Sequence, residues 1–370
     1  MRVLMLSKAC IVGIYQRKLE YIAEQGIDLL TLVPPSWKDE RGEQVLERVY
    51  TKGYRLQETP IAFNGNFHTH FYPRLQDYIS EFDPDIVHID EEPYNVATWQ
   101  ALLFARLART KTLFFSWQNI KRNYPPPFNL GEKWVLNSID YALVGTDSAG
   151  DVWREKGYTG KMRTIPQFGT DHRLFKPQPK DPQRPFTIGY IGRLVEEKGV
   201  HHLMEACSLL EDEWHLRLVG SGPLRDDLEE LSHELGIAER ITWIDWVAST
   251  EMPDQYAQID VLALPSLTRP NWKEQFGRVL VEAMSCGLPV IGSDSGAIPG
   301  VIGNGGLIFP EGDVEMLAKH LHDLQNKADL HEILGKAGRK RVIDHFTHEG
   351  IAKATVEVYR ELRPSPYRYL

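Results

Sequence analysis

Residues 186–199 read Phe-Thr-Ile-Gly-Tyr-Ile-Gly-Arg-Leu-Val-Glu-Glu-Lys-Gly, an apolar strand followed by a small-residue turn and two cations. Residues 200–210 follow directly with helical spacing of apolar positions. The N–H groups and dipole at the start of such a helix attract phosphate. Arg193 can donate two parallel hydrogen bonds to phosphate oxygens, and Lys198 adds a positive charge on a flexible side chain. The stretch suits a diphosphate, although cations on an ordinary helix surface are an equally good interpretation of this motif alone.

The same alternation of strand-length apolar runs and amphipathic stretches extends along the whole chain. It is typical of parallel sheets covered by helices. We therefore predict an α/β protein with two doubly wound parallel sheets. The predicted strands are 2–6, 28–33, 86–89, 112–115 and 141–144 in the first half, and 186–191, 215–219, 241–244, 261–264, 290–291 and 306–309 in the second.

A proline-rich stretch at 175–185 separates the two halves, and its prolines break both helix and strand. The length of 370 residues also exceeds that of most domains with a single hydrophobic core. We predict a first domain at 1–178, a second at 179–345, and a helix and tail at 346–370 that packs back on the first domain.

Composition excludes several classes of protein. The chain is 42% hydrophobic and 25% charged, as ordinary globular proteins are. A formal charge of -9 argues against nucleic acid as a partner. No run of about 18 uncharged apolar residues occurs, and the apolar start, residues 1–15, predicts a buried strand instead of a signal peptide. Three widely spaced cysteines match neither a metal site nor a disulfide framework and favour the cytoplasm: Cys10, Cys207 and Cys286.

Glycines follow the predicted strand 215–219, in the sequence Gly220-Ser-Gly222-Pro223. Glycine permits close approach to a backbone, and proline fits the first turn of a helix. A bound ligand and a plain turn explain this stretch equally well. Because ligands of parallel sheets lie beyond the carboxyl ends of the strands, the position is the right one for a site.

Two carboxylates stand eight positions apart in the stretch Glu274-Gln-Phe-Gly-Arg-Val-Leu-Val-Glu282, after the predicted strand 261–264. Glu282 lies among apolar residues of a predicted helix, where a carboxylate is costly unless a donor such as a sugar hydroxyl binds it. Glu274 stands just before that helix, beside the amides of Phe276 and Gly277. A lone glutamate on a helix is more often solvated, but this pair favours a ligand site.

From these motifs the second half resembles glycosyltransferase family 4 over about residues 186–345. The resemblance implies a GT-B fold, in which two facing Rossmann-like domains flank an interdomain cleft. It also implies a nucleotide-diphosphate sugar as donor, retention of anomeric configuration, and no essential metal or other cofactor. The matching stretches are 192–199, 220–223, 259–266, Glu274 to Glu282, 282–290 and 293–299.

The resemblance also assigns residues. It places Arg193 and Lys198 at the diphosphate, Glu274 at the transferred sugar with the Phe276 and Gly277 amides, and Glu282 at the ribose. The catalytic set is then Glu274, Arg193 and Lys198. The remaining donor-binding positions that it implies, in the second domain and in the loop after the first strand, are Gly13, Gly192, Gly220, Gly222, Trp246 and Val247.

The first domain is expected to bind the acceptor, and here the chain departs from the family pattern. Histidines that the family often carries are replaced by Asp90 and by the stretch around Trp117 and Gln118. Gln118 can hydrogen-bond a sugar hydroxyl and Trp117 can stack on a sugar face, although an aromatic residue beside a strand is more often core. A solvated acidic loop is likewise the commoner explanation of Asp90 and the two glutamates after it.

A basic and aromatic segment of the first half could meet an anionic lipid carrier at the inner membrane face. Cations on a helix beside a buried strand explain it equally well. The segment comprises Arg106, Arg109, Lys111, Lys121, Arg122, Phe114, Phe115, Trp117 and Tyr124.

The sequence thus predicts a glycosyltransferase that moves a sugar from a UDP- or GDP-sugar to a glycan or lipid-linked acceptor in cell-surface polysaccharide or glycolipid synthesis. Two alternatives are a non-catalytic nucleotide-sugar-binding subunit and a sugar-nucleotide epimerase on the same fold. No metal site is predicted, because the D-x-D sequence Asp83-Pro-Asp85 precedes a strand instead of following one.

Overall fold

A computed structural model of the protein describes residues 1–39, 42–181, 183–245, 247–248 and 251–362. The chain divides into two compact units, one of residues 1–169 and 348–370 and one of residues 170–347. Within the described residues, no helix combines the length and the apolar character needed to cross a membrane.

The first unit contains a seven-stranded parallel sheet in the order β5-β2-β1-β6-β7-β8-β9 and an antiparallel hairpin of β3 and β4. Its strands are β1 Arg2–Leu6, β2 Asp28–Val33, β3 Ser36–Asp39, β4 Gly42–Val45, β5 Arg55–Glu58, β6 Ile86–Ile89, β7 Lys111–Ser116, β8 Tyr141–Val144 and β9 Lys161–Thr164. Its helices are α1 Arg17–Glu24, α2 Leu75–Phe82, α3 Val96–Leu107, α4 Phe128–Ser138, α5 Asp147–Glu155 and α13 His348–Leu362.

Both faces of this sheet are covered, as the apolar runs of its central strands require. Leu4 and Leu6 belong to one buried cluster, whereas Val3 and Met5 belong to another. Alternate residues of a strand point to opposite faces, so each cluster lies on its own side of the sheet. Helix α13 packs against α1 and contributes to the second cluster.

Helix α13 is anchored by a buried polar contact. The Tyr359 hydroxyl lies 2.7 Å from Nδ1 of His88, and both side chains are buried. Burial, with a smaller contribution from the charge of Lys18, holds the pKa of His88 well below its usual value. His88 is therefore neutral in the folded protein.

This histidine predicts a pH dependence of stability. Below about pH 6.5 His88 is protonated in the unfolded chain but stays neutral in the folded protein. The contribution of neutral His88 to the free energy of unfolding is therefore complete above that pH and is lost as the pH falls. We expect His88 to lower the free energy of unfolding by up to about 1.4 kcal/mol per pH unit in that range. Urea unfolding of wild type and His88→Gln on both sides of the histidine pKa tests this. Equal pH slopes would rule out the contribution.

The second unit contains a six-stranded parallel sheet in the order β12-β11-β10-β13-β14-β15. Its strands are β10 Phe186–Ile191, β11 Trp214–Val219, β12 Ile241–Ile244, β13 Val261–Leu264, β14 Val290–Ser293 and β15 Gly306–Phe309. Its helices are α6 Val200–Ser208, α7 Arg225–Glu234, α8 Met252–Ala257, α9 Arg278–Ser285, α10 Ile298–Ile302, α11 Val314–Asn326 and α12 Ala328–His345. The prediction of two parallel α/β sheets is confirmed.

The unit boundary differs from the prediction. The chain enters the second unit after Gly169, whereas the sequence suggested the boundary after Gln178. Phe175 explains the difference, because its side chain is buried in the second core against Tyr256 and its carbonyl accepts a bond from Ser285 Oγ. Part of the proline-rich stretch is therefore packed structure of the second unit. The return to the first unit falls after Thr347, where the prediction had it after His345.

Candidate functional site

The loops after β10 and β11 are in direct backbone contact at the carboxyl edge of the second sheet. A Cβ on Gly220 would lie 1.9 Å from the carbonyl oxygen of Gly192, and one on Gly222 would lie 2.2 Å from that of Leu194. Gly220 also has φ +138°, which L side chains rarely adopt. Packing between the two loops therefore requires both glycines, and their predicted contact with a donor stays a prediction.

Lys198 and Glu274, both predicted site residues, form an ion pair. Lys198 Nζ lies 2.5 Å from Glu274 Oε2, and that oxygen also accepts a bond from Ser266 Oγ at 3.0 Å. The ammonium group lies 5.0 Å from the ring centre of Trp272. Since Glu274 is buried and Lys198 nearly so, each charge depends on the other for compensation.

Backbone contacts bring the elements of this pair together. Lys198 ends a short 3-10 turn after β10, and Gly199 follows in the left-handed region with φ +63°. A Cβ on Gly199 would lie 2.1 Å from the carbonyl oxygen of Pro265, which follows β13. The Leu267 N–H donates to the Glu197 carbonyl at 2.8 Å. The turn after β10 is thereby fixed against the loop after β13.

Arg193 is the exposed cation of the site. Its side chain is half exposed, and its guanidinium lies 3.5 Å from Glu197 Oε1. Its carbonyl accepts a bond from the buried Tyr190 hydroxyl at 2.6 Å, which fixes the backbone of the turn. The guanidinium is therefore loosely held on a rigid turn and can reorient toward an anionic ligand.

Glu282 is buried on α9, as its apolar neighbours predicted, but the protein itself supplies its partners. The Tyr256 hydroxyl donates to Oε2 at 2.7 Å, and Arg278 Nε lies 3.2 Å from Oε1. The sequence suggested a sugar hydroxyl as one suitable donor to this carboxylate, and in the structure Tyr256 and Arg278 already bind it. The proposed contact with a ribose rests on the family resemblance alone.

The Tyr256 contact is testable. Tyr256→Phe removes the bond from a carboxylate that stays buried, so we expect a loss of about 1–3 kcal/mol in the free energy of unfolding. If Glu282 also contacts the donor, affinity for the donor falls in the same variant. Chemical denaturation and calorimetric donor titration measure the two effects. Unchanged stability would show that the hydroxyl does not support Glu282.

Phe276 and Gly277 stand immediately before α9, as predicted. Gly277 has φ +74° and directly precedes the helix, and the Phe276 ring lies 5.7 Å from that of Phe346. Val247 is partly buried against the core of the second unit. Trp246 lies outside the described residues.

Gly13 lies in a short 3-10 helix after β1, and other residues of the first unit occupy the space beside it. Its N–H donates to Glu47 Oε2 at 2.6 Å, and an added Cβ would lie 2.3 Å from Val49 Cγ2. The predicted approach of Gly13 to donor phosphates therefore requires Glu47 to move away, and it stays a prediction.

The first unit has a buried polar network at the carboxyl edge of its sheet. Asp90 accepts bonds from Ser7 Oγ at 2.5 Å and Gln167 Nε2 at 2.9 Å. Gln167 Oε1 in turn accepts from Trp117 Nε1 at 2.7 Å. Burial raises the pKa of Asp90, although the charge of Lys18 opposes the shift. The structure thus joins two of the three predicted acceptor-side residues through Gln167.

Glu92 holds the backbone that carries Trp117 and Gln118. It accepts from Ser116 Oγ at 2.6 Å and from the Trp117 N–H at 2.8 Å. Burial raises the pKa of Glu92 to about 7 despite these bonds. Gln118 Nε2 donates to the Ile120 carbonyl, while its buried Oε1 has no partner among the described residues. That oxygen is available to a hydroxyl donor.

Glu91 differs from its two neighbours because it is paired with cations. Lys8 contacts its carboxylate, and His70 Nε2 lies 3.6 Å away. Burial acts to raise the pKa of Glu91, but Lys8 and His70 hold it at about 2. The acidic triplet is therefore not a solvated loop, as the commoner interpretation held.

Sequence reasoning missed several of these groups. Gln167 follows β9, a strand that the sequence did not reveal, and Tyr256 lies on a helix remote in sequence from Glu282. Lys8 and Ser266 do follow strands that were predicted, so a systematic search of strand ends would have found both.

Comparisons with known proteins bear on this arrangement. The family described as Glycosyltransferase Family 4 matches residues 17–168, and that described as Glycosyl transferases group 1 matches residues 171–341. The GDP-mannose-dependent alpha-(1-6)-phosphatidylinositol monomannoside mannosyltransferase of Mycolicibacterium smegmatis is 31% identical over 86% of each chain. The protein belongs to glycosyltransferase family 4. The predicted family and transferase activity are confirmed.

Two further proteins are similar to this family 4 glycosyltransferase. Sulfoquinovosyl transferase from Arabidopsis thaliana is 26% identical, over 93% of this chain and 69% of the plant protein. The crystal structure of Anabaena HepE in complex with UDP superposes with a TM-score of 0.73 at 18% identity, covering 98% of this chain and 100% of that one. The structural likeness supports the GT-B fold of this glycosyltransferase.

Proposed function

We propose that this glycosyltransferase moves a sugar from a UDP- or GDP-sugar to a glycan or lipid-linked acceptor, with retention of anomeric configuration and without a metal or other cofactor. The observation that carries the proposal is the Lys198–Glu274 ion pair at the carboxyl edge of the second sheet, where the segment after β10 carries both Lys198 and Arg193. Cations next to a buried carboxylate suit a substrate that joins a diphosphate to a sugar.

In this proposal the two cations act on the leaving nucleotide. Arg193 and Lys198 offset the negative charge that develops on the diphosphate as the glycosidic bond breaks. Glu274 faces the transferred sugar, and its carboxylate is already oriented by Ser266 and Lys198. The acceptor hydroxyl attacks on the face from which the nucleotide departs, so the anomeric configuration is kept.

The acceptor side of the proposal rests on the first unit. Trp117 is held by Gln167 and Glu92, so its indole forms a fixed surface against which a sugar ring can stack. Gln118 Oε1 accepts a bond from an acceptor hydroxyl. Asp90 keeps Gln167, and through it Trp117, in place.

The names of two relatives support the proposed kind of acceptor. One is named for transfer to a phosphatidylinositol monomannoside and another as a sulfoquinovosyl transferase. We therefore place the protein in glycolipid or cell-surface polysaccharide synthesis. The unpaired, buried cysteines suit the cytoplasm, and a lipid-linked acceptor favours peripheral contact with the inner membrane face.

Product analysis tests the reaction. Incubation with a nucleotide sugar and an acceptor, in the presence of a chelator, should yield a product with the anomeric configuration of the donor by NMR. An inverted product, or activity that the chelator abolishes, would overturn the proposed chemistry. A changed sugar nucleotide formed without any acceptor would instead identify an epimerase.

A further inference from the structure

Helices α3 and α4 of the first unit expose four large apolar side chains. Leu103 and Leu107 on α3 are 47% and 71% exposed, and Leu130 and Trp134 on α4 are 63% and 36% exposed. The members of each pair are four residues apart and so lie on one face of their helix. We call these four side chains, with the cations described below, the α3–α4 face.

The two helices that carry these pairs pack side by side. The rings of Trp99 and Phe128 lie 5.8 Å apart, and Arg106 Nη1 lies 3.5 Å from the Ser138 carbonyl oxygen. A Cβ on Gly131 would lie 2.1 Å from the Trp99 ring, so α4 contacts α3 closely.

Each helix also has a separate buried side. The residues that it turns toward the core are Ala101, Leu102 and Ala105 on α3, and Val135 and Leu136 on α4. The exposed residues are therefore a second apolar surface, distinct from the one that folds the unit.

The exposed charged side chains of these two helices, with Arg109 just after α3, are all cations. Arg106, Arg109 and Lys133 are exposed beside the apolar side chains, and none of them has an ion pair within the described part of the chain. The single carboxylate of the two helices, Glu132, is buried and bound by Lys156 at 2.6 Å. A chain with a formal charge of -9 thus presents one cationic and apolar face.

We propose that the α3–α4 face docks on the surface of an anionic lipid bilayer. The leucines insert at the boundary between the headgroups and the acyl chains. The amphipathic indole of Trp134 suits the membrane–water interface, and the cations bind lipid phosphates. A protein partner is less well matched, because charged residues are depleted at the centre of protein interfaces, whereas the exposed charged side chains of these two helices, Arg106 and Lys133, are both cations. This assignment rests on the peripheral membrane contact proposed above.

The docking face differs from the lipid-binding segment that the sequence suggested. Phe114 and Phe115 are buried in β7 and do not reach a membrane. Lys111 pairs with Asp140 and Lys121 with Glu155. Of the predicted cations, Arg106 and Arg109 are on the α3–α4 face.

Vesicle flotation tests the proposal with two sets of variants. The full chain should float with vesicles of phosphatidylcholine and phosphatidylglycerol, more weakly as salt increases, and much less with phosphatidylcholine alone. Leu107→Ser/Leu130→Ser should weaken binding at least about tenfold, since each substitution removes an apolar side chain that the bound state buries in the bilayer. Arg106→Gln/Arg109→Gln/Lys133→Gln should weaken it by about fivefold per cation.

A matched control comes from the second unit, where Leu209 and Ile333 are 55% and 63% exposed. Leu209→Ser/Ile333→Ser should float as wild type does. Thermal melting checks that every variant is folded, and sugar transfer to a water-soluble acceptor should be unchanged in the α3–α4 variants. That readout separates failure of docking from failure of the proposed enzymatic function.

Three outcomes of the flotation assay overturn the assignment. They are absence of binding by the wild type, equal binding by the Leu107→Ser/Leu130→Ser variant, and equal binding to neutral vesicles. Analytical sedimentation tests whether the protein self-associates through this face. If the wild type self-associates and the same substitutions abolish that association without affecting flotation, the face binds a second copy of the chain, and the lipid assignment is wrong.

Discussion

Glu274→Ala should lower the rate of sugar transfer by roughly 10²–10³-fold while donor binding stays measurable. The variant removes the carboxylate that is proposed to face the transferred sugar, whereas Arg193 remains for the diphosphate. Because Glu274 also compensates the nearby Lys198, some loss of stability is expected in addition. Initial rates with saturating donor, together with calorimetric donor titration, separate the two effects.

The chain offers a matched control for that loss of stability. Glu132 forms an ion pair with Lys156 in the first unit, at 2.6 Å and with similar burial. Glu132→Ala should be destabilised comparably and yet transfer sugar to a soluble acceptor at close to the wild-type rate. Full activity of Glu274→Ala would remove Glu274 from the mechanism.

Substitution of Lys198 is expected to affect donor binding as well as catalysis. Lys198→Ala should weaken donor binding as well as transfer, because the lost charge is proposed to contact the diphosphate in the bound state too. Lys198→Met/Glu274→Gln, which replaces the ion pair by neutral side chains of similar size, should fold stably and remain inactive. An active double variant would show that neither charge is needed.

Gly220→Ala should destabilise the second unit by about 3 kcal/mol or more. The added methyl group would lie 1.9 Å from the Gly192 carbonyl oxygen, and φ of +138° is unfavourable for alanine. Neither cost can be relieved by rotating a side chain, since the atom contacted belongs to the backbone. Donor binding should be lost along with the fold of the two loops.

Gly300 is the control for this substitution. It lies on α10, and a Cβ there would meet nothing within 4 Å. Gly300→Ala should therefore change the free energy of unfolding by less than about 1 kcal/mol. Urea unfolding of both variants gives the comparison, and similar midpoints would contradict the close loop packing derived from Gly220.

Much of the fold follows from the sequence because buried parallel strands are nearly continuous apolar runs. Strands β1, β2, β6, β8, β10, β12, β13 and β15 have the predicted bounds. Strands β5 and β9 escaped prediction because their residues, Arg-Leu-Gln-Glu and Lys-Met-Arg-Thr, are mostly polar. Both lie at the edges of the sheet, where one side has no strand neighbour and burial is incomplete.

Sequence reasoning located candidate residues at strand ends but did not indicate their partners. Strand ends located Lys198 and Glu274, yet no spacing rule could show that these residues, 76 positions apart, bind each other. The burial of Glu282 was evident from its neighbours, whereas its donor, Tyr256, lies on another helix. Partners of this kind are set by tertiary packing, so they become visible only when the chain is folded.

The central claim is that the second unit binds a nucleotide sugar through Arg193 and Lys198. Calorimetric titration of the wild type with a panel of UDP- and GDP-sugars tests it most directly. We predict that one nucleotide sugar binds, raises the melting temperature with occupancy, and binds at least about tenfold more weakly to Lys198→Ala. Absence of binding across the panel, or equal affinity in wild type and Lys198→Ala, would contradict the account.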